Sequence, residues 1–428
     1  MQNFLVGSRA LQRCLLAGGA ALGLAIGFGA QAQTPTPPPG PVLTPVMYFY
    51  GTAPQGGLVR GSNGGLYGTG GESNLVSTSF GLHFLLDPNA AGVQTIYEYG
   101  RLGVFAGGAP RAALLLGSDG AFYGTNTINS VDLLRGPQSG TGGVFRMGQD
   151  GSGHVRLADF DPIRMEYERN SIGYAINDCG FEPRAALIEG FENSVRYLYG
   201  TTARGGKNGT GVVFKVRADG LAPPAGAGPP SNCTTGIVVL HHFAEADLLD
   251  PTTGAARDSR GFPIKRFDTN DDVRLKNFDG VNPDQRLTLV DGQILGATTN
   301  RLFGVTTNGG PNGTGVVFSL NVAGIDEAGI NFKRAKFEVS PPNVPVETPP
   351  NSNFGKQKLN RTGAYPLSGL ILVGNTLYGT TSSHGGYTGA GNCTSFQPSN
   401  VNGDCYGGNF GYGTIYIINP IANPDPPP

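Results

Sequence analysis

The feature that most constrains this chain is a repeat: a short element of the form apolar, aromatic, glycine, threonine that returns five times. It reads "LYGT" from Leu66, "FYGT" from Phe122, "LYGTT" from Leu198, "LFGVTT" from Leu302 and "LYGTT" from Leu377. Its glycines are Gly68, Gly124, Gly200, Gly304 and Gly379. Repeats of this length denote one supersecondary unit used many times, since a single unit cannot bury its own apolar face.

Each copy carries the same companions. Upstream lies Pro-x-x-x-Leu, at Pro54 to Leu58, Pro110 to Leu114, Pro183 to Leu187, Pro283 to Leu287 and Pro366 to Leu370. Downstream lies glycine, two residues and an aromatic, ending at Phe84, Phe145, Phe214, Phe318 and Tyr416. A further alternating run follows the first four copies: "QTIYEY", "HVRLADF", "IVVLHHF" and "KRAKFEV". These are strand signals separated by turn chemistry, so each unit predicts four short strands. Gly 70 and Pro 32 in 428 residues suit many tight turns and few long helices.

The fifth copy stops after its third strand. A spare run, "PVMYFYG" at Pro45 to Gly51, stands before the first copy with the pattern of a fourth strand. A strand missing at one end and left over at the other is what ring closure produces, because closure protects otherwise unpaired edges. The expected fold is therefore an all-β, five-bladed β-propeller of four-stranded antiparallel blades. Pro45 to Gly51 would complete the last blade.

Around that domain, residues 1–32 read as a secretory signal: Arg9 and Arg13 precede an apolar run, and "AQA" at Ala30 to Ala32 fits a cleavage site. Residues 33–44 form a Pro-rich linker, 45–420 the single propeller domain, and 421–428 a Pro-rich tail. No later segment could span a bilayer as a helix. The protein is expected to be secreted or periplasmic, bacterial and monomeric. The mature cysteines, Cys179, Cys233, Cys393 and Cys405, then suggest disulfides rather than metal ligation. The pairs would be Cys393 with Cys405, inside one insertion, and Cys179 with Cys233, which requires a long loop to wrap around an edge.

The pattern "P-x-x-x-L … LYGTT-x-x-GG-x-x-GTGVVF … F-x-x-DG-x-NP", clearest at Leu198 to Val216 and Phe278 to Phe318, resembles the glycine-rich tandem repeat of the GloVer-type family. What this resemblance implies is an exported bacterial repeat protein of the choice-of-anchor kind, with no catalytic residues to carry over. Two departures are the long insertions that pad the repeats and the end "NPDPPP" in place of a sorting helix.

Candidate function lies in that padding. In four-stranded antiparallel blades the second-to-third loop and the connection to the next blade emerge on one face, and most insertions fall in these two places. Insertions displayed together on a rigid scaffold are where repeat arrays bind. Asp161, Glu182 and Asp284, with Tyr387, Tyr406 and Tyr412, are the candidate ligand-binding residues for a glycan or protein partner. "DTNDD" places Asp268, Asn270 and Asp272 at alternate positions, as a calcium loop begins, yet Val273 stands where the turn wants glycine. A solvated acidic loop is the competing explanation, and no other cofactor is expected.

A formal net charge of −1 with 14% charged residues offers no basic surface for nucleic acid. His241 and His242 should point to opposite faces of one strand, and His83 takes the place of packed Val213. A non-catalytic binding protein is the leading expectation. The alternative is an extracellular hydrolase or lyase acting on polysaccharide through Asp161, Glu182, Asp268 or Asp284. The sequons at Asn208 and Asn312 read as by-products of turns that need asparagine and glycine.

Overall fold

A computed structural model describes residues 52–72, 79–87, 93–100, 108–127, 141–167, 173–224, 233, 236–244, 247–248, 275–292, 300–311, 313–322, 332–336, 364–383 and 414–418. The chain divides into Met1–Pro45 and Val46–Pro428. The expected signal, linker, closing strand Pro45 to Gly51 and tail lie outside the described residues, as do Asp268, Asn270, Asp272, Tyr387, Tyr406, Tyr412, Cys393 and Cys405.

The fold is all-β, a series of small antiparallel sheets that follow the repeat. Sheet one contains β1 (Thr52–Pro54), β2 (Val59–Arg60), β3 (Leu66–Glu72), β4 (Ser79–Leu86) and β5 (Val93–Gly100). Sheet two runs β6 (Leu115–Leu116), β7 (Phe122–Asn126), β8 (Gly143–Met147) and β9 (Val155–Asp159) in order. A small three-stranded sheet joins β10 (Arg164–Tyr167), β11 (Gly173–Phe181) and β14 (Arg204–Gly206). Sheet three is β12 (Ile188–Glu192), β13 (Val195–Thr202), β15 (Val212–Arg217) and β16 (Val238–His242).

After a two-stranded ribbon, β17 (Asp247–Leu248) with β18 (Leu275–Lys276), comes sheet four: β19 (Thr288–Val290), β20 (Arg301–Thr306), β21 (Val316–Asn321) and β22 (Phe332–Lys336). Sheet five has β23 (Ala364–Pro366), β24 (Ile371–Val373), β25 (Thr376–Ser383) and β26 (Ile415–Ile418). No helix among the described residues is long and apolar enough to cross a membrane.

The Pro-x-x-x-Leu element is not itself the first strand, as its spacing suggested. In every repeat the first strand begins just after the leucine, at β2, β6, β12, β19 and β24. Proline lacks the N–H that a ladder needs, so the run before the leucine serves as a connector. The hairpin into β13 is tight: Glu192 pairs with Val195 across Asn193 and Ser194, both at positive φ. Left-handed central residues match a two-residue hairpin to the strand twist.

The glycine of each LYG element also acquires a specific cause. Gly200 lies opposite Phe214, and a Cβ there would fall 2.7 Å from the phenyl Cζ. Gly304 stands in the same relation to Phe318, at 2.5 Å. A neighbouring aromatic ring, rather than a backbone, occupies the space that a side chain would take.

Burial follows the two-sided pattern expected of these strands. In β15, Val212, Phe214 and Val216 join a cluster with Tyr123 and Phe160 of sheet two, while Val213 joins Leu287 and Phe318 of sheet four. Similar clusters join sheets one and two around Tyr67 and Phe145, and sheets four and five around Phe303 and Leu370. Sheets covered on both faces tolerate near-continuous apolar runs. Each buried phenyl ring contributes about 2 kcal/mol.

Successive sheets are fixed by one repeated joint. The residue before the proline is left-handed in four repeats, at Ala109, Glu182, Asn282 and Tyr365. The N–H groups of Glu182, Asn282 and Tyr365 donate to the carbonyls of Thr141, Thr210 and Thr314 in the preceding sheet. The Ala109, Glu182 and Asn282 carbonyls accept from Thr127, Ala203 and Thr307 of their own sheets. An L-residue holds this uncommon conformation only where its surroundings over-determine it. The proline that follows packs on a glycine of the preceding sheet: Pro183 on Gly142, Pro283 on Gly211 and Pro366 on Gly315.

One joint also buries a cation. Lys215 is fully buried, with Nζ at 2.7 Å from both carboxylate oxygens of Glu192 and 3.0 Å from the Val322 carbonyl of sheet four. Its charge stands over the Tyr197 ring, and burial lowers the amine's pKa although Glu192 opposes the shift.

Candidate functional site

The described ends of the insertions pair with the sheets. Residues just before each proline pair with the extension of the second strand in their own repeat. Thr52 faces Glu72, Asn177 faces Gly206, Val281 bridges Asn308, and Ala364 faces Ser383. In sheet two the Thr127 N–H reaches the Ala109 carbonyl. The connection between sheets and the second-to-third turn thus meet on one side of every repeat, called the rim below.

Two asparagines organise this rim by the same bonds. Asn177 Nδ2 donates to the Gly180 carbonyl at 2.8 Å, and Asn277 Nδ2 to the Gly280 carbonyl at 2.7 Å. Their amide oxygens accept from Gly206 N–H at 3.4 Å and Gly310 N–H at 2.8 Å. Asparagine suits the task because one short side chain supplies a donor and an acceptor. The duplicated turn repeats as well, with Gly205, Gly206, Gly209 and Gly211 matched in positive φ by Gly309, Gly310, Gly313 and Gly315. Asn208 Nδ2 donates to the Phe243 carbonyl at 2.7 Å, so the first sequon's amide already has a structural role.

Three of the expected site residues are described, each in a different setting. Asp161 lies beside the Cys179–Cys233 disulfide, its carboxylate within 4.8 Å of both sulfurs. The sulfurs are bonded to each other, so they are not the thiolates a metal would need. The bridge spans 54 residues with Cα atoms 5.5 Å apart, so Cys233 is held beside Cys179. Glu182 sits between two arginines, Arg184 at 2.7 Å and Arg204 at 3.3 Å. Asp284 accepts from Thr307 Oγ1 at 2.8 Å and from Gln285 Nε2 at 3.0 Å. Glu182 and Asp284 are thus held by separate neighbours.

Sequence patterns missed one histidine–carboxylate pair. His241 Nε2 lies 2.7 Å from Asp279 Oδ2, and Oδ1 of the same carboxylate accepts from Ala244 N–H at 2.9 Å and Asn277 Nδ2 at 3.3 Å. Asp279 is buried and His241 is partly open. Asp279 in "NFDGVNP" occupies the repeat position of Cys179 in "NDCGFEP". That exchange was the available signal. His242 does point elsewhere, its Nδ1 accepting from Lys207 N–H at 3.2 Å, and burial first, then Lys207, pulls its pKa down to about 4.

Comparison with protein-family models finds no match, and no curated protein matches the chain.

Proposed function

We propose that this chain is an exported, non-catalytic binding protein whose five sheets are the blades of a β-propeller, with the ligand held on the rim of insertions. The observation that carries this is the pairing of inter-sheet connections with second-to-third turns, which ties the described ends of the added segments to the sheets on one side. A surface of that kind offers binding groups at little cost in ordering. The resemblance to the GloVer-type repeat favours the same assignment. The Cys179–Cys233 bridge suits an oxidising, secreted or periplasmic setting.

In the propeller, Pro45 to Gly51 supplies the fourth strand of the last blade. The partner is a glycan or a protein, met by Asp161, Glu182 and Asp284 together with the tyrosines of the fifth insertion, Tyr387, Tyr406 and Tyr412. Calcium is the candidate ligand of Asp268, Asn270 and Asp272.

A second reading, hydrolysis of an extracellular polymer, is favoured by one observation: the His241–Asp279 pair has the geometry of a base oriented by a buried carboxylate. A glycan array with product-release assays on the retained polymers separates the two. Binding without release, weakened by Asp284→Ala, supports the binding protein. Release abolished by Asp279→Asn supports the hydrolase and refutes the first reading.

A further inference from the structure

The joints between sheets leave two faces over. At each joint, the leucine that ends Pro-x-x-x-Leu and the strand-three aromatic of one sheet pack on the LYG-type aromatic and strand-three residues of the sheet before it. Leu114, Leu187, Leu287 and Leu370 are all buried in this way. Leu58, the same residue of sheet one, is 54% exposed. On the same face Phe84 is buried over Gly68, but Leu66, Leu82 and Leu86 are only partly covered, whereas their counterparts in sheet three, Leu198, Val212 and Val216, are buried.

Sheet five shows the opposite face. Tyr67, Tyr123, Tyr199 and Phe303 are buried against the following sheet, but Tyr378 is 37% exposed. Val144, Val213 and Val317 are buried, but Ile415 is 79% exposed, and Ile417 beside it 67%. Ile371 and Val373 of β24 extend the same open face. Thr380 holds the position from which Thr69 and Thr125 donate to Ala112 and Pro183 carbonyls in the next connector. On sheet five it is exposed and meets Ser368 instead.

We infer that these two faces are the halves of a fifth joint, and that sheet five packs through Tyr378, Ile415 and Ile417 on Leu58 of sheet one in the same chain. This rests on the propeller assignment and adds the surfaces through which the ring shuts. The occupant is specified by the repeat itself, since each face lacks what the other supplies. Contiguous apolar surface of this kind calls for a cover. A second copy could offer the same partner, but two unlike faces pairing between copies would build either a ring of several copies or an open-ended assembly, and sedimentation detects both. A partner tethered in the same chain also competes at a high effective concentration.

The test combines substitutions with sedimentation of the full chain. Ile415→Asp and Leu58→Asp should each lower the folded-to-unfolded ratio in urea at least tenfold, while Val155→Asp, at an exposed residue away from both faces, should change it little. The wild type should sediment as a monomer throughout the micromolar range. Unchanged unfolding in both face variants overturns the inference, as does concentration-dependent assembly that Ile415→Asp abolishes.

Should those variants fail to fold, Leu58→Cys with Tyr378→Cys decides. A linked 58–378 peptide recovered from monomer supports the joint, and its absence, or its recovery from multimers alone, refutes it. A linked monomer that binds no glycan or protein sinks only the binding function. A disc-shaped monomer without the link sinks only this joint.

Discussion

Gly211 of sheet three rests directly on Pro283 of sheet four: at φ 107°, a Cβ there would fall 2.7 Å from the proline Cδ. The relation recurs at Gly142 with Pro183 and at Gly315 with Pro366. The glycine of the repeat is therefore a hinge point between units. It leaves room for the next unit's proline while adopting a backbone form that L-residues avoid.

Gly211→Ala should accordingly cost roughly 2–4 kcal/mol, combining a strained φ with clashes against the Thr202 carbonyl of its own sheet and the neighbouring proline. Urea unfolding monitored by tyrosine fluorescence would measure it. A loss below 0.5 kcal/mol, taking that as roughly the level of ordinary surface substitutions, would show that the joint bears little of the stability.

Lys215→Met should destabilise by about 2–4 kcal/mol, because it strips Glu192 of its cation inside a closed joint. Adding Glu192→Gln should recover part of the loss, since the uncompensated carboxylate is then gone. A double-mutant cycle checks this, and strict additivity would mean that the two side chains do not interact energetically.

Cys233→Ser should lower stability by about 2–4 kcal/mol, as expected for releasing a long loop in the unfolded chain. Reductant should shift the wild-type unfolding curve toward that of the variant and leave the variant's own curve in place. Equal sensitivity of both to reductant would contradict a stabilising bridge.

Acid should weaken the fold through His83. Its Nε2 lies 3.0 Å from Tyr99 Oη, which lies 3.2 Å from His154 Nε2, and all three rings pack with Phe145. Burial, aided by His154, holds the His83 pKa down at about 3, and burial takes His154 to about 4. The folded pKa lies below the unfolded value, so the unfolded chain binds protons first as pH falls below about 6.5. His83 then removes roughly 2–3 kcal/mol by pH 4.5, and none above pH 7.5. His83→Val should flatten the profile measured by urea unfolding between those pH values, and an unchanged slope would refute the assignment.

How much of this was legible in the residues depended on range. Each copy of the repeat contains its own strands and turns, so the second and third strands fall where "LYGT" and "GVVF" place them, and His83 is packed as its equivalence with Val213 implied. The first strand was displaced because it begins only after the leucine that ends Pro-x-x-x-Leu, while proline's missing donor leaves the run up to that leucine to the joint. The rim was readable only as topology. His241 and Asp279 meet because two segments separated by a long, patternless insertion converge on Asn277, and no local spacing records that approach. Cys179 and Cys233 likewise pair across 54 residues of sequence, an approach that no local spacing records.

The central claim is that five sheets form one closed ring, and small-angle X-ray scattering of the chain lacking residues 1–32 tests it most directly. A closed ring of this size predicts a radius of gyration of about 21 Å, raised slightly by the insertions, with a single symmetric distance distribution. An extended distribution with a long tail, from a protein that sedimentation shows to be monomeric and folded, would contradict it.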